Sequence, residues 1–287
     1  MALYACVCTN RPAASVAPCL DALTAQGAEV LLVLSGVSAD AGLALGHHVR
    51  VLTEPRPGLS RARNRALAAC DGGDVIAFVD DDAIVGDGWL DAMRAAWERA
   101  EPRVACVGGP IRPRFEGERP RWLSERLLPV LTTLDYGPEA RDLDPFMTTV
   151  YGANVAFRAG ALRDVGGFDP GLGHGGRPTG FGEEDDAERA LYRAGYVVRY
   201  EPGPWVWHII PPERTTRAAF LRRRLRYGVG LGARGGRGPG RAGRQLASSA
   251  AGVPVAAARG DEALAMERAT RVAENAGVLL AAVLARR

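Results

Sequence analysis

Five short and nearly uninterrupted apolar runs, Ala2 to Cys8, Val30 to Leu34, Val49 to Leu52, Val75 to Val79 and Val104 to Val107, fill the first third of this 287-residue chain. Runs of this length without polar alternation suit strands buried on both faces, as in a mostly parallel sheet covered by helices. The segments Ser60 to Ala69 and Asp87 to Arg99 carry helical spacing, with Asp87 placed as an N-cap. This rhythm predicts an α/β fold whose ligand belongs at the carboxyl ends of the strands.

Beyond Gly109 the rhythm loosens, and Pro110, Pro113, Pro120, Pro129 and Pro138 interrupt it as far as Asp144, which reads as irregular, substrate-facing chain. Order returns at Tyr151 to Phe157. A helix is expected from Glu184 to Ala194, closed by Gly195, followed by a strand pair, Val197 to Tyr200 and Trp205 to His208. Arg222, Arg223, Arg224 and Arg226 then precede a Gly/Arg stretch, Gly228 to Arg244, which reads as a linker. A last helix is expected from Asp261 to Arg287, where Leu264, Val272, Leu279 and Val283 fall near helical spacing. The chain therefore divides into 1–110, 111–215 and an Arg-rich helical extension, 216–287.

Composition narrows the function classes. A hydrophobic share of 47% supports a packed core, and a net charge of +3 is too small for a nucleic-acid-binding surface. All 36 basic residues are Arg, which favours bidentate contacts with phosphates and fits a GC-rich coding sequence equally well. The five cysteines form no CxxC pair and are odd in number, so a reducing, cytoplasmic setting is expected. The N-terminus lacks the pattern of a signal peptide. No apolar stretch reaches the roughly 20 residues of a spanning helix. The Arg-rich segment offers a peripheral contact with an anionic lipid or the membrane's inner face, and a merely solvated tail is the alternative.

Two acidic clusters carry the chemistry. Asp80, Asp81 and Asp82 follow directly on an apolar strand, and such crowding is relieved by a divalent cation; a solvated acidic turn is the bland alternative. Glu183, Glu184, Asp185 and Asp186 begin a helix, where carboxylates are favourable even without function. Gly180 and Gly182 before them let a carboxylate approach a ligand closely enough to take a proton from a hydroxyl. One cluster then suits metal binding and the other the base.

The stretches VDDDAIVGDGWL, YGANVAFRAGALRDVGGFDPGLG and GFGEEDDAERALYRAGY, with RPGLSRARNRALAACDGGDVIAFVDDD leading into the first, resemble the inverting glycosyltransferases of family 2 over about residues 1–215. That resemblance implies the GT-A fold, a Rossmann-like nucleotide-binding half with a mixed sheet merged to an acceptor-binding half. It implies Mn²⁺ or Mg²⁺ held by Asp82, with Asp80 shared between metal and nucleotide, and the ribose contacted by Asp80 or Asp81. The Thr9, Asn10 and Arg11 turn, Ser35 and Arg63 match positions on the nucleotide-sugar side. Gly152 and Asn154 match the sugar and acceptor lining, and Glu183 the acceptor hydroxyls. The base is Glu184 when counted back from Gly195 and Tyr196, or Asp185 when read from the local Glu-Asp letters. His208 matches a histidine near the metal, and neutral imidazole suits Mn²⁺; a satisfied core histidine is the alternative. His47, His48 and His174 carry no role.

Where the family has an Asp after the second strand to read the base, this chain has Leu34 and Ser35, so UDP, GDP and dTDP donors all stay open and the acceptor is unknown. The QxxRW signature of processive enzymes is absent, which implies single transfers. Two rival classes are a nucleotide-sugar-binding module without catalysis, which would not need the second acidic cluster, and a phosphohydrolase, which would need a Lys that the chain lacks.

Overall fold

The computed structural model describes residues 1–37, 48–173 and 182–285. Its strands are β1 (Leu3–Thr9), β2 (Glu29–Ser35), β3 (Val49–Glu54), β4 (Val75–Asp80), β5 (Ala83–Val85), β6 (Val104–Gly108), β7 (Ile111–Phe115), β8 (Arg141–Leu143), β9 (Asn154–Arg158), β10 (Val197–Tyr200) and β11 (Val206–Ile210). Its helices are α1 (Ala17–Thr24), α2 (Leu59–Leu67), α3 (Trp89–Arg99), α4 (Ala159–Asp164), α5 (Glu183–Arg193), α6 (Arg217–Ala233), α7 (Pro239–Ala258) and α8 (Glu262–Leu284). All five apolar runs are strands; β1, β2, β4 and β6 are buried in the core, while in the outer strand β3 only Leu52 is.

The main sheet runs β3-β2-β1-β4-β9-β6-β10-β8. β1 pairs in parallel with β2 on one side and β4 on the other. Chain order reverses across β1, so a crevice opens between the carboxyl ends of β1 and β4. β9 enters antiparallel between β4 and β6, which makes the sheet mixed. A second sheet orders β5-β11-β7.

The contacts group the chain into two units. One holds residues 1–112 with the described parts of 133–176 and 182–209; the other holds 113–132 and 210–285. The expected 1–110 portion thus falls in the first unit, whereas the expected 111–215 portion is divided, its residues 113–132 and 210–215 lying in the second. The second unit has its own core of Trp122, Leu123, Leu127, Leu131, Phe220 and Met266, in which Trp122 and Phe220 meet edge to face at 5.2 Å.

Several local expectations give way to packing. Gly228 to Arg244 is no linker: it forms the end of α6 and the start of α7. Glycine there serves close helix contact, since a Cβ at Gly228 would strike the Glu274 carbonyl and one at Gly277 the Leu225 carbonyl. Gly88 at φ +70°, not Asp87, precedes α3, with no side-chain cap. Val206–Ile210 does not pair with Val197–Tyr200; it joins the second sheet and pairs antiparallel with β5. Helix α8 lies where the last helix was expected, and its N-cap is Asp261, whose side chain accepts from the Leu264 N–H at 2.9 Å. Among the described residues no helix is long and apolar enough to cross a membrane.

Candidate active site

The acidic triplet sits where β4 ends, and β11 fixes its geometry from a distant part of the chain. The Ile209 N–H donates to the Asp82 carbonyl at 2.9 Å, and His208 pairs in register with Ala83. This brings His208 Nε2 to 3.2 Å from Asp82 Oδ1. Asp80, Asp82 and His208 each offer a ligand atom, and these atoms lie within 4.8 Å of one another. His208 is 1% exposed and its Nδ1 has no partner among the described residues, unlike a satisfied core histidine. Two carboxylates and an imidazole make a donor set that fits Mn²⁺ or Mg²⁺. Burial pushes the Asp80 carboxyl up to about 6, with Asp82 and Glu184 adding to the rise and Arg63 and His208 opposing it. A cation would relieve that crowding.

Asp81 turns toward the end of β1. The Thr9 hydroxyl donates to Asp81 Oδ2 at 2.6 Å and accepts from the Arg11 N–H at 3.0 Å. Arg11 spans both neighbours, 3.7 Å from Asp81 and 3.8 Å from Asp82. The exposed Asn10 completes this turn at the mouth of the β1/β4 crevice. Thr9, Arg11 and Asp81 therefore meet in one place.

The second cluster lies at the start of α5, and Arg63 ties it to the first. Arg63 Nη1 donates to Glu183 at 3.0 Å and lies 3.9 Å from Glu184, while Nη2 lies 3.6 Å from Asp80. Glu184 also accepts from the Gly152 N–H at 3.3 Å. Gly152 is glycine for a local reason: a Cβ there would collide with Arg63 Nη2. Burial, followed by the neighbouring Glu184, raises Glu183 to about 8 against the pull of Arg63. Glu184 and Asp185 are both partly exposed. Both raise the buried Glu188 carboxyl, and Glu184 in addition acts on Asp80 and Arg63. The Gly180 that precedes this cluster lies outside the described residues.

Three of the expected residues are engaged within the protein. The Ser35 hydroxyl accepts from the Gly58 N–H at 3.1 Å and so ties β2 to the start of α2. Asn154 is engaged in the same way. It is 0% exposed and its amide is fully engaged, accepting from Trp89 Nε1 and donating to the carbonyls of Pro110 and Pro204. Glu183, only 3% exposed, is held by Arg63 rather than turned toward an acceptor's hydroxyls.

Some functional neighbours escaped sequence reasoning. Phe78 and Phe168 hold the Arg63 guanidinium at 5.4 Å and 5.5 Å from their ring centres. Buried Glu188 accepts from the Val150 N–H at 3.3 Å, two residues before the glycine that meets Glu184. Its position one helical turn after Glu184 was the available signal.

Comparison with known proteins bears on the family and the fold. The profile described as "Glycosyl transferase family 2" matches residues 5–166. The chain is 33% identical over 210 residues to the pre-mycofactocin glycosyltransferase of Mycobacterium tuberculosis, covering 71% of this chain and 41% of that protein. It is 30% identical over 175 residues to the succinoglycan biosynthesis protein ExoM of Rhizobium meliloti, covering 61% of this chain and 52% of that one. The chain thus spans about half the length, or less, of these relatives. Among solved structures, the mannosyltransferase PcManGT from Pyrobaculum calidifontis in complex with GDP-Man and Mn²⁺ superimposes with a TM-score of 0.62 at 20% identity, over 98% of this chain and 86% of that one. GalNAc-T7 with UDP, GalNAc and Mn²⁺ gives a TM-score of 0.55 at 16% identity, over 82% and 50%. At those identities the likeness speaks for the GT-A fold. The profile match covers more than half of the sequence, and the chain belongs to glycosyl transferase family 2.

Proposed function

We propose that this chain is a metal-dependent, inverting glycosyltransferase that moves one sugar per encounter from a nucleoside-diphosphate sugar to an acceptor hydroxyl. The observation that carries this reading is the joining of two acidic clusters, Asp80 with Asp82 and His208 on one side and Glu184 on the other, through Arg63 at the strands' carboxyl edge. A module that only bound donor would have no use for the second cluster.

Asp80, Asp82 and His208 would hold Mn²⁺ or Mg²⁺, which when bound neutralises the departing diphosphate. Thr9, Arg11 and Asp81 line the crevice expected for the nucleotide. Glu184 is the base: its carboxylate accepts from the Gly152 N–H and lies 3.9 Å from Arg63 Nη1, on the same guanidinium whose Nη2 lies 3.6 Å from Asp80. Glu184 takes the proton of the acceptor hydroxyl, whose oxygen attacks the anomeric carbon opposite the leaving diphosphate, so that configuration inverts. A base so placed supplies about 10² to 10⁴ in rate. The two superimposable structures hold GDP-Man and UDP respectively. Both remain candidates here, as does dTDP. A cytoplasmic setting, with peripheral contact to anionic lipid through Arg222 and Arg226, is part of the proposal; Arg224 and Arg237 are already engaged by Glu274.

The test is turnover of UDP-, GDP- and dTDP-sugars with Mn²⁺ and after chelation, with the anomeric configuration of any product read by NMR. Metal-dependent release of nucleoside diphosphate is the expected outcome. Equal turnover in chelator, or a retained configuration, would overturn the metal or the inverting assignment respectively.

A further inference from the structure

A buried arginine stays charged and is costly unless anions surround it, and its planar fork then fixes their relative positions. Arg63 is such a residue. It is 2% exposed, and its guanidinium lies near the rings of both Phe78 and Phe168. Gly152 leaves it the only space available, because any side chain there would overlap Nη2. The edges of the fork are spent inward: Nη1 on Glu183 at 3.0 Å and Glu184 at 3.9 Å, Nη2 on Asp80 at 3.6 Å. An arginine that binds a diphosphate would present an open edge to the crevice, as the half-exposed Arg11 does.

We propose that Arg63 is a positioning residue, which sets the distance and orientation of the Glu184 carboxylate relative to Asp80, and not a ligand of the donor's phosphates. Glu183 completes the unit by anchoring Nη1 from the buried side. The inference rests on the transfer reading above, since it concerns how the base and the cation-holding carboxylate are kept in register. Misplacement by about 1 Å costs reactions of this kind about 100-fold in rate. Lysine would restore the charge but not the fork.

Three variants test it, with kcat, donor KM, Mn²⁺-dependent melting and circular dichroism measured on each. Arg63→Lys keeps the charge and removes the fork. Gly152→Ala changes no charge and pushes on the guanidinium from below. Arg63→Met combined with Glu183→Gln removes the cation and its nearest anion together, which keeps the test open should Arg63→Lys fail to fold. Each is expected to lose about 100-fold in kcat while donor KM stays within about threefold of the parent and Mn²⁺ still raises the melting temperature. A donor KM that rises in step with an unchanged kcat would make Arg63 a phosphate ligand and overturn the proposal. A lower melting temperature with parental kcat per folded molecule would make it a core ion pair only, and overturn it too. An unmodified chain that turns over no sugar nucleotide defeats the transfer reading and this inference with it, whereas an active parent with active variants defeats this inference alone.

Discussion

Around Arg63 in the first unit, the carboxylates of Asp80, Glu183 and Glu184 face a single guanidinium, whereas in the second unit the single carboxylate of Glu274 is met by Arg224 and Arg237. Both groups are built from buried or half-buried side chains of the same two kinds. Their charge counts differ in sign. Anions in excess leave a demand for a cation, and Asp82 with His208 enlarges it. The helical cluster closes on itself, with Asn275 accepting from Arg237 at 3.1 Å. A lone buried carboxylate held between two guanidiniums ties helices together, whereas several carboxylates crowded round one guanidinium point to a cation that must bind.

The sharpest way to break this contrast is to remove one anion from each side. Asp82→Ala should lower metal-dependent turnover by about 10³-fold, the effect of losing several kcal/mol of leaving-group stabilisation. Parental turnover would show that the triplet is only an acidic turn. Glu184→Gln should cost about 10² to 10⁴ in kcat with donor-induced thermal stabilisation intact, while Asp185→Asn should cost far less. The reverse order would move the base to Asp185.

The same contrast has a pH signature. Asp80 and Glu183 bind protons more tightly in the folded chain than in the unfolded one, at about 6 and about 8. Stability from these groups is therefore fully present below about pH 4 and is lost as pH rises through those values. Metal-free protein should melt at a lower temperature at about pH 8 than at about pH 5, and Mn²⁺ should raise the melting temperature more at the higher pH, where its ligands are ionised. A metal effect of equal size at both would contradict the charge imbalance. Smallest of all, Glu274→Gln in the helical cluster should destabilise the chain by about 2 kcal/mol in denaturant and leave kcat per folded molecule unchanged.

The contrast also explains what could be read from the letters. The strands were legible because β1, β2, β4 and β6 are buried on both faces, so their composition carries the signal. Asp80 and Asp82 were legible as chemistry from their own letters, whereas only the family resemblance joined His208 to them, because the pairing of β11 with β5 is a tertiary fact. Arg63 looks like any helical arginine until Phe78, Phe168 and the missing side chain of Gly152 are seen around it. Asn154 and Ser35 were misleading for a related reason. Polar residues near a site also serve to satisfy buried backbone groups, and local spacing does not separate the two uses. The Gly/Arg stretch read as a linker because glycine's part in helix-to-helix contact depends on a partner helix far along the chain.

The backbone bond from Ile209 to Asp82 has a consequence for the order of synthesis. A ribosome delivers the aspartate triplet early and the histidine more than a hundred residues later, so a nascent chain carries only part of its cation cage for most of its elongation. Capture of manganese by such a chain would date the moment at which β11 docks, and a stalled-chain series would read folding progress directly from bound metal.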